Sequence, residues 1–370
     1  MKKLFLAVIL LCLILSCSCA GAAESYTCGA FTYTLLEDGT AEITDYAEEE
    51  DVWDVELVIP SDLDGHRVTS IGNNAFENAW SLRSVVVPEG VTHIGSIAFD
   101  ECSNMTSITL PEGIVSIGSK AFMYCDDLTE MVLPESVVTL GDFAFSNCTS
   151  LTSINIPYSL MENGTNPFPR CENLTEYRIA ADHPAYMVMD GMLINLNTME
   201  VVSCLPSAPE ALVIPEGITS IAWSAFSNHS NLTSVTLPSS MTYISDGAFG
   251  GSKMLNAVTI PEGVTGIGFS AFSECSQLTS VVLPQSLETM DWYAFSETGL
   301  TEVVIPEGMT LIDKYAFLKC KKLEKVTIEA SKVDMKESIF NACDNLSAVT
   351  VKEGSTAEAW CKANGINCVY

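Results

Sequence analysis

The sequence predicts an α/β-type repeat solenoid: a coil of chain with short parallel strands, turns and little helix, carrying hairpin caps and one hairpin interruption. Three observations predict it. The dipeptide Ala-Phe recurs at Ala75, Ala98, Ala121 and Ala144, then at Ala225, Ala248, Ala271 and Ala294, with 23 residues between neighbours in each block. A period in the twenties means that one supersecondary unit is copied and stacked. Apolar residues also keep fixed offsets from the proline that opens each unit, as with Val91, Ile94 and Phe99 after Pro88 and Val264, Ile267 and Phe272 after Pro261. Finally, a leucine-like residue (Met105, Leu128, Leu278) precedes an alternating apolar pair, such as Ile108/Leu110 or Val281/Leu283, that ends in proline. Alternation closed by a residue without an N–H reads as a short strand.

The elements follow in chain order. Residues 1–22 form an export signal: Met1-Lys2-Lys3 is basic, and the apolar run over residues 4–14 is too short to span a bilayer comfortably. Ala20-Gly21-Ala22 offers a small-x-small cleavage site, whereas Ile14-Leu15-Ser16-Cys17 reads as a lipobox that would leave a lipid anchor on Cys17. Residues 23–56 make an N-terminal cap, in which residues 26–46 alternate about the hairpin signal Asp38-Gly39. Residues 57–168 are the first repeat block. An interruption at residues 169–214 breaks the period, since the 47 residues from Phe168 to Pro215 do not make a whole number of repeats. Two strands are expected there, over residues 187–194 and 199–205, about Asn195-Leu196-Asn197-Thr198. Residues 215–351 are the second block. The C-terminal cap, residues 352–370, opens with the capping box Ser355-Thr356-Ala357-Glu358 and continues with a short helix over residues 359–364, Gly365 as its C′ residue and a last strand. The whole is read as one elongated domain.

No single unit can bury its own Phe and Leu. Coils stacked about 4.7–4.9 Å apart, the spacing of a parallel ladder, turn every recurring slot into an internal column. The unit Leu-x-x-Val-x-Leu-Pro-x-Gly-Val-Thr-x-Ile-Gly-x-x-Ala-Phe-x-x-Cys, clearest over residues 105–125 and 278–308, resembles the BspA-like leucine-rich repeats of bacterial surface proteins. The resemblance runs from about residue 57 to residue 351. It implies a right-handed leucine-rich-repeat coil, an Asp-Gly-centred hairpin between blocks of repeats, here at Asp190-Gly191, and a surface protein that adheres to host extracellular proteins or to other cells. In general leucine-rich repeats an Asn or Cys sits three positions after the strand's last leucine; here that slot holds Gly113, Ser136, Gly217, Ser240, Gly263 or Ser286. A side-chain amide ladder is therefore excluded at that slot, and a turn glycine is expected to take its place.

Composition excludes several functions. The chain has 17 basic and 47 acidic residues, a net charge of −30, and loss of Lys2 and Lys3 with the signal brings it to about −32. Such a balance argues against nucleic acid and anionic lipid as partners. The densest acidic stretch, residues 48–51 with Asp54 and Glu56, lacks the alternating acids and glycine of a calcium loop and reads as a solvated loop. Cys102, Cys125, Cys148, Cys171, Cys275, Cys320 and Cys343 follow the repeat, in a column shared with Ala79, His229, Ser252 and Thr298, so they read as buried free thiols in a small-residue slot. Cys361 and Cys368 lie outside the array and could either bridge or stay free. Gly113 to Lys120 imitates a phosphate loop, but its equivalents at residues 90–96 and 263–270 show that repeat spacing produced it. Only four histidines are present, none with metal-ligand spacing, and His229 falls in the cysteine column as a core residue. Asn-x-Ser/Thr triplets at Asn104, Asn147, Asn173, Asn231 and Asn345 come largely from the repeat itself.

No catalytic, cofactor-binding or metal-binding residue is therefore expected; a hydrolase centred on Asp182-His183 is the one enzymatic alternative. The candidate site is the outward face of the strands: Ser107 and Thr109, Glu130 and Val132, Ser153 and Asn155, Ser234 and Thr236, Ser280 and Val282, Glu302 and Val304. Stacked, these make a ribbon of hydroxyls, small apolar groups and a few acids. It reads either as a solvated sheet face or as a broad, shallow surface for a protein or glycan ligand. The expected function is that of a non-catalytic, secreted or cell-surface protein, monomeric and without a membrane span, that binds such a ligand. An envelope scaffold or lipoprotein without a host ligand is the alternative.

Overall fold

The computed structural model describes residues 24–49 and 51–370; the expected export signal with its expected cleavage site, the lipobox reading at Cys17, and Glu50 lie outside the described residues. The chain winds into coils, each repeat adding one turn with three sides. On the first side run the proline-terminated strands expected from the alternation. Leu82–Val86 pairs in parallel with Ser107–Thr109 (Val85 opposite Ile108), and Glu130–Met131 with Ser153–Ile156 and then Glu176–Ile179.

A second ladder was not foreseen. The recurring apolar residue six positions after the proline lies in a two-residue strand: His93–Ile94, Ser116–Ile117 and Thr139–Leu140 pair in register, one coil to the next, and Glu162–Asn163 continues the ladder with a polar residue in that slot. Two residues cannot display a period of two, so alternation could not reveal them. The third side carries Ala-Phe. It is built of turns, yet its N–H groups reach the next coil: Phe99 donates to the carbonyl of Ala121 at 2.7 Å and Phe122 to that of Ala144 at 2.8 Å. Residues flanking the dipeptide take positive φ in coil after coil, as at Ile97 (62°), Glu101 (57°), Lys120 (57°) and Tyr124 (56°). Such backbone is unfavourable for residues with a Cβ, and the inter-coil hydrogen bonds hold it.

The columns are packed at the pitch of the coil. Phe76, Phe99, Phe122 and Phe145 stack with centroids 4.9, 5.4 and 5.2 Å apart; Phe226, Phe249, Phe272 and Phe295 do so at 5.2, 5.3 and 5.1 Å. All eight rings are buried. Backbones approach closely enough beside this column that a Cβ on Gly118 would lie 2.5 Å from the Ser96 nitrogen, which fixes that slot as glycine. The turn slot departs from expectation. No amide stands there, but Ser136 accepts from the Gly113 N–H at 2.9 Å and donates to the Ile114 carbonyl at 2.7 Å, and Ser240 does the same with Gly217 and Ile218. A hydroxyl staple between glycine and serine coils thus replaces the amide ladder. Amides work elsewhere: Asn104, Asn173 and Asn231 donate to Trp80, Thr149 and Ala208 carbonyls one coil back.

The interruption contains three strands where two were expected. Tyr186–Met189 turns at Asp190-Gly191 into Met192–Asn195, which pairs antiparallel with Glu200–Cys204. Residues 187–194 therefore fold back on themselves instead of running as one strand. Side chains of the central strands divide between two cores: Leu193, Val202 and Leu205 join the first block's, while Met192, Ile194, Val201 and Cys204 join the second's. A strand buried on both faces explains the unbroken apolar runs Met192-Leu193-Ile194 and Val201-Val202. Glu200–Cys204 then pairs in parallel with Ser220–Ile221, where that sheet ends, and the two-residue ladder resumes from Tyr243–Ile244.

At the N-terminus Ser25–Cys28, Phe31–Leu35 and Ala41–Tyr46 form an antiparallel meander that joins the array in parallel at His66–Ile71. Tyr46 lies on Phe76, centroids 5.2 Å apart, and closes that end of the phenylalanine stack. The other end is closed by a helix, Thr356–Ala363, one turn longer than expected at its start; Ser355 caps it by accepting from the Glu358 N–H. The Glu358 carboxylate accepts from Gly354 N–H at 2.6 Å and is held low, to about 2, first by its hydrogen bond with Lys362 and then by Tyr370. Gly365 follows with φ 70°, and Cys368–Val369 adds the last strand. Every described cysteine is a free thiol, Cys361 and Cys368 included.

Candidate ligand-binding face

The outward strand positions form two columns. One runs Ser84, Ser107, Glu130, Ser153, Glu176 in the first block and Ala211, Ser234, Ala257 in the second; the other runs Val86, Thr109, Val132, Asn155, Arg178 and Val213, Thr236, Thr259. Alternation places their partners, Ile108, Met131, Ile154 and Val235, in the core. Of the expected residues Ser107, Thr109, Glu130, Val132, Thr236, Ser280, Val282, Glu302 and Val304 are exposed, and Ser153, Asn155 and Ser234 half-buried. Val132 is 57% and Val282 78% exposed, so the apolar side chains on this face have no cover within the chain.

Five of these residues come together. The strand Ser107–Thr109 pairs with the coil before it and Glu130–Met131 with the coil after it, but the two do not pair with each other. Where the ladder opens, Ser107, Thr109, Glu130, Val132 and Asn155 line a shallow depression of about 540 Å³. Ser234 and Thr236 share a strand two coils into the second block, and Ser280, Val282, Glu302 and Val304 lie further along the same side. Three candidates are already engaged. Asn155 uses its amide to accept from the Leu133 N–H (2.7 Å) and to donate to the Leu133 carbonyl (2.8 Å), and Arg178 donates both to Glu130 (3.0 Å) and to Ser153 (2.9 Å). Arg178 was missed, together with exposed Val58, Val86 and Val213. The signal was available, since Arg178 continues the Val132, Asn155 column by one more step of 23 residues.

A second set of surface side chains also escaped notice. The two slots before Ala-Phe hold aromatic residues in several coils: Phe143, Trp223, Phe269, Trp292, Tyr293 and Tyr315. Their rings meet across coils, Phe143 edge-on to Trp223 at 5.0 Å, Phe269 edge-on to Tyr293 at 5.9 Å and Tyr293 stacked on Tyr315 at 5.1 Å.

Other candidate chemistry has structural employment. The thiols of Cys102, Cys125 and Cys148 donate to the carbonyls of Phe76, Phe99 and Phe122 at 3.1–3.2 Å, a role that Ser252 fills at Phe226 with a 2.6 Å bond. Burial pushes these thiols well above the ordinary range, which leaves them protonated and unreactive. His183 is buried, its Nε2 on the Pro157 carbonyl at 2.8 Å and its Nδ1 accepting from Ala185 and Tyr186 N–H groups, so neither nitrogen is open for the hydrolase alternative. Lys120 of the phosphate-loop look-alike gives its N–H to Asp142 within the turn stack. Glu48 of the acidic stretch caps the Ser81 N–H at 2.7 Å. Among the described residues no group of three or more His, Cys, Asp or Glu could hold a metal ion, and no helix is long and apolar enough to cross a membrane.

Comparison with known proteins agrees with this geometry. A leucine-rich cell surface protein from Faecalibacterium prausnitzii, 26% identical, superimposes with a TM-score of 0.57 over 94% of this chain and 98% of its own. The pneumococcal vaccine antigen PcpA, 17% identical, shares the fold with a TM-score of 0.65 over 94% and 98% of the two chains. A leucine-rich repeat protein from Eubacterium ventriosum, 20% identical, does so at 0.52 over 80% and 95%. No curated protein matches. No catalytic family is indicated, and the six-copy model of the BspA-type leucine-rich repeat region matches residues 69–184, 207–323 and 292–358. With most of its length in those repeats, the chain belongs to the BspA-type leucine-rich repeat family.

Proposed function

We propose that this is an exported, non-catalytic bacterial surface protein whose strand face binds a macromolecular ligand, a protein or a glycan, in adhesion to host material or to other cells. The observation that carries the proposal is the uncovered face itself. Exposed β-branched side chains alternate there with hydroxyls in register over many coils, and the ladder opens into the depression between Ser107 and Asn155. Repeat solenoids bind through extended surfaces of this kind. The 26% identical structural relative is named as a cell surface protein, which agrees with the export signal read from residues 1–22. Arg178 across Glu130 and Ser153 gives the face one fixed cation among acids, so hydrogen bonding and shape, not a single apolar anchor, would supply affinity.

The exported chain should be tested against immobilised extracellular-matrix protein, mucin and whole bacterial cells, with an unrelated protein of equal acidity as control. Binding to at least one should exceed the control. It should fall about tenfold or more in Thr109→Arg and Val132→Arg, which crowd the depression without touching the core. Binding no better than the control, or indifferent to both substitutions, would overturn the assignment.

A further inference from the structure

The slot two residues before the alanine of Ala-Phe changes character along the array. In the first block it holds Asn73, Ser96, Ser119 and Asp142, and the side chains of Asn73 and Asp142 accept the Ser96 and Thr165 N–H groups of the next coil at 2.7 and 2.6 Å. Coils stack there without a ring in the slot, so the fold does not require one. In the second block the slot holds Trp223, Asp246, Phe269 and Trp292, and the three rings are 36, 43 and 42% exposed. From Trp223 to Trp292 this ribbon crosses three coil steps, about 14 Å at the pitch of a parallel ladder, which an extended segment of about four residues covers.

Carboxylates flank the rings. Asp246 accepts from the Phe269 N–H at 2.9 Å and Asp291 from that of Trp292 at 2.8 Å, each through Oδ1. The Tyr243 hydroxyl is pushed above its ordinary value first by burial and then by these same two carboxylates, so their fields converge beside the ribbon. Neither acid belongs to an ion pair among the described residues. Between Trp223 and Phe269 lies a groove of about 230 Å³ floored by Gly247, Gly250 and Gly251, with Glu274 at one end and Arg170 at the end nearer the first block.

The chain itself shows what such a surface holds. Lys314 occupies the same slot one coil beyond Trp292; its ammonium lies over the Trp292 ring, 5.7 Å from the centroid, and is paired with Glu337. A cation there gains from the ring quadrupole and from the carboxylate together. Among the described residues no cation of the chain lies over Trp223 or Phe269. With 47 acids against 17 bases, the field of the whole molecule draws a positive partner toward these rings and repels a negative one. We propose that the ribbon docks a basic partner protein, an extended segment of which lays Arg or Lys side chains on Trp223 and Phe269, beside Asp246, Asp291 and Glu274, as Lys314 lies on Trp292. The ribbon is on the Ala-Phe side of the coil, away from the strand face, and its fate does not depend on the reading given to that face.

The full exported chain should be titrated by calorimetry, at a salt concentration of about 0.02 M so that screening is weak, with hexa-arginine, hexa-glutamine and a neutral β-linked glucose hexamer. Hexa-arginine should bind and the other two should not. Trp223→Ala combined with Phe269→Ala should weaken that binding about fivefold or more, the worth of two exposed cation–π contacts. Asp246→Asn combined with Asp291→Asn removes two charges but keeps an oxygen for each N–H, and should weaken it about as much. Glu89→Gln combined with Asp127→Asn makes the same change of charge at exposed positions of the first block and should weaken it by less than about twofold. Thermal melts should show all three double variants folded. Affinity that falls equally in the first-block control is attraction to net charge alone and overturns the proposal. So does absence of hexa-arginine binding, or binding unmoved by loss of the two rings. Binding of the glucose hexamer that is lost with Trp223 and Phe269 would give the ribbon to a glycan and overturn it as well.

Discussion

Asp100 shows how one residue can depart from a repeat at a cost. It follows Ala98-Phe99, in the slot that Ser146, Ser227, Ser273 and Ser296 fill in other coils, where a small hydroxyl is tolerated. Here a carboxyl is 7% exposed with Oδ1 unpartnered, and burial, reinforced by Glu101 and Glu77, pushes its pKa up from 3.8 to about 6. Between those two values the folded chain holds a proton that the unfolded chain has lost, so stability falls as pH rises through the window and stays lower above it. Asp100→Asn removes that dependence. Urea unfolding of the two proteins should therefore diverge in the variant's favour as pH is raised from about 4 to about 6 and then run parallel. A difference that is flat over the whole range, or that grows as pH falls, contradicts the assignment. The column positions, by contrast, were legible without a structure because each carries the same residue type at a constant offset; Asp100 breaks the pattern, and only its burial reveals the consequence.

At the scale of elements, legibility tracked length. Proline-terminated strands of three to five residues, such as Leu82–Val86 and Ser107–Thr109, expose an alternation that sequence can display, whereas Ser116–Ile117 or Thr139–Leu140 cannot. The three-stranded interruption was read as two because Met192–Asn195 is buried on both faces and loses the polar alternation that marks a boundary. Candidate residues on the face were legible as periodic positions. That Asn155 and Arg178 are occupied within the chain was not, because their partners lie one and two coils away. The interruption also sets how the two blocks share stability. Val201 faces one core and Val202 the other, and the array is otherwise a sum of coil and neighbour terms. Val202→Asp places an unpaired charge in the first block's core without touching the second, at a cost of several kcal/mol. Calorimetry of the variant should resolve two transitions, the lower from the first block, where the parent gives one. A single transition lowered as a whole would mean that coupling through Val201 and the ladder at Glu200–Ser220 is strong enough to carry both blocks.

Over the whole molecule, charge is strongly one-sided. The chain carries 47 acids against 17 bases, and the described ion pairs, such as Arg178–Glu130, Lys319–Glu297 and Lys352–Glu307, hold both partners at least partly in water. Exposed pairs of that kind contribute about 0–1 kcal/mol each. Unpaired acids on a rod-like array repel along its length, and compaction brings them closer than in the unfolded chain. Salt at 0.1 M shortens the reach of that repulsion to about 10 Å, which spans only two coils. Raising sodium chloride from about 0.02 to about 0.5 M should therefore raise the melting temperature by a few degrees, the reverse of what a fold held by surface ion pairs would do. A melting temperature that falls with salt would show that pairs such as Lys314–Glu337 outweigh the general repulsion. The same field bears on the ligand of the strand face. An acidic partner meets repulsion along the rod and would bind more tightly as salt screens it, whereas a basic one would bind more weakly as salt is added while the fold itself grows more stable.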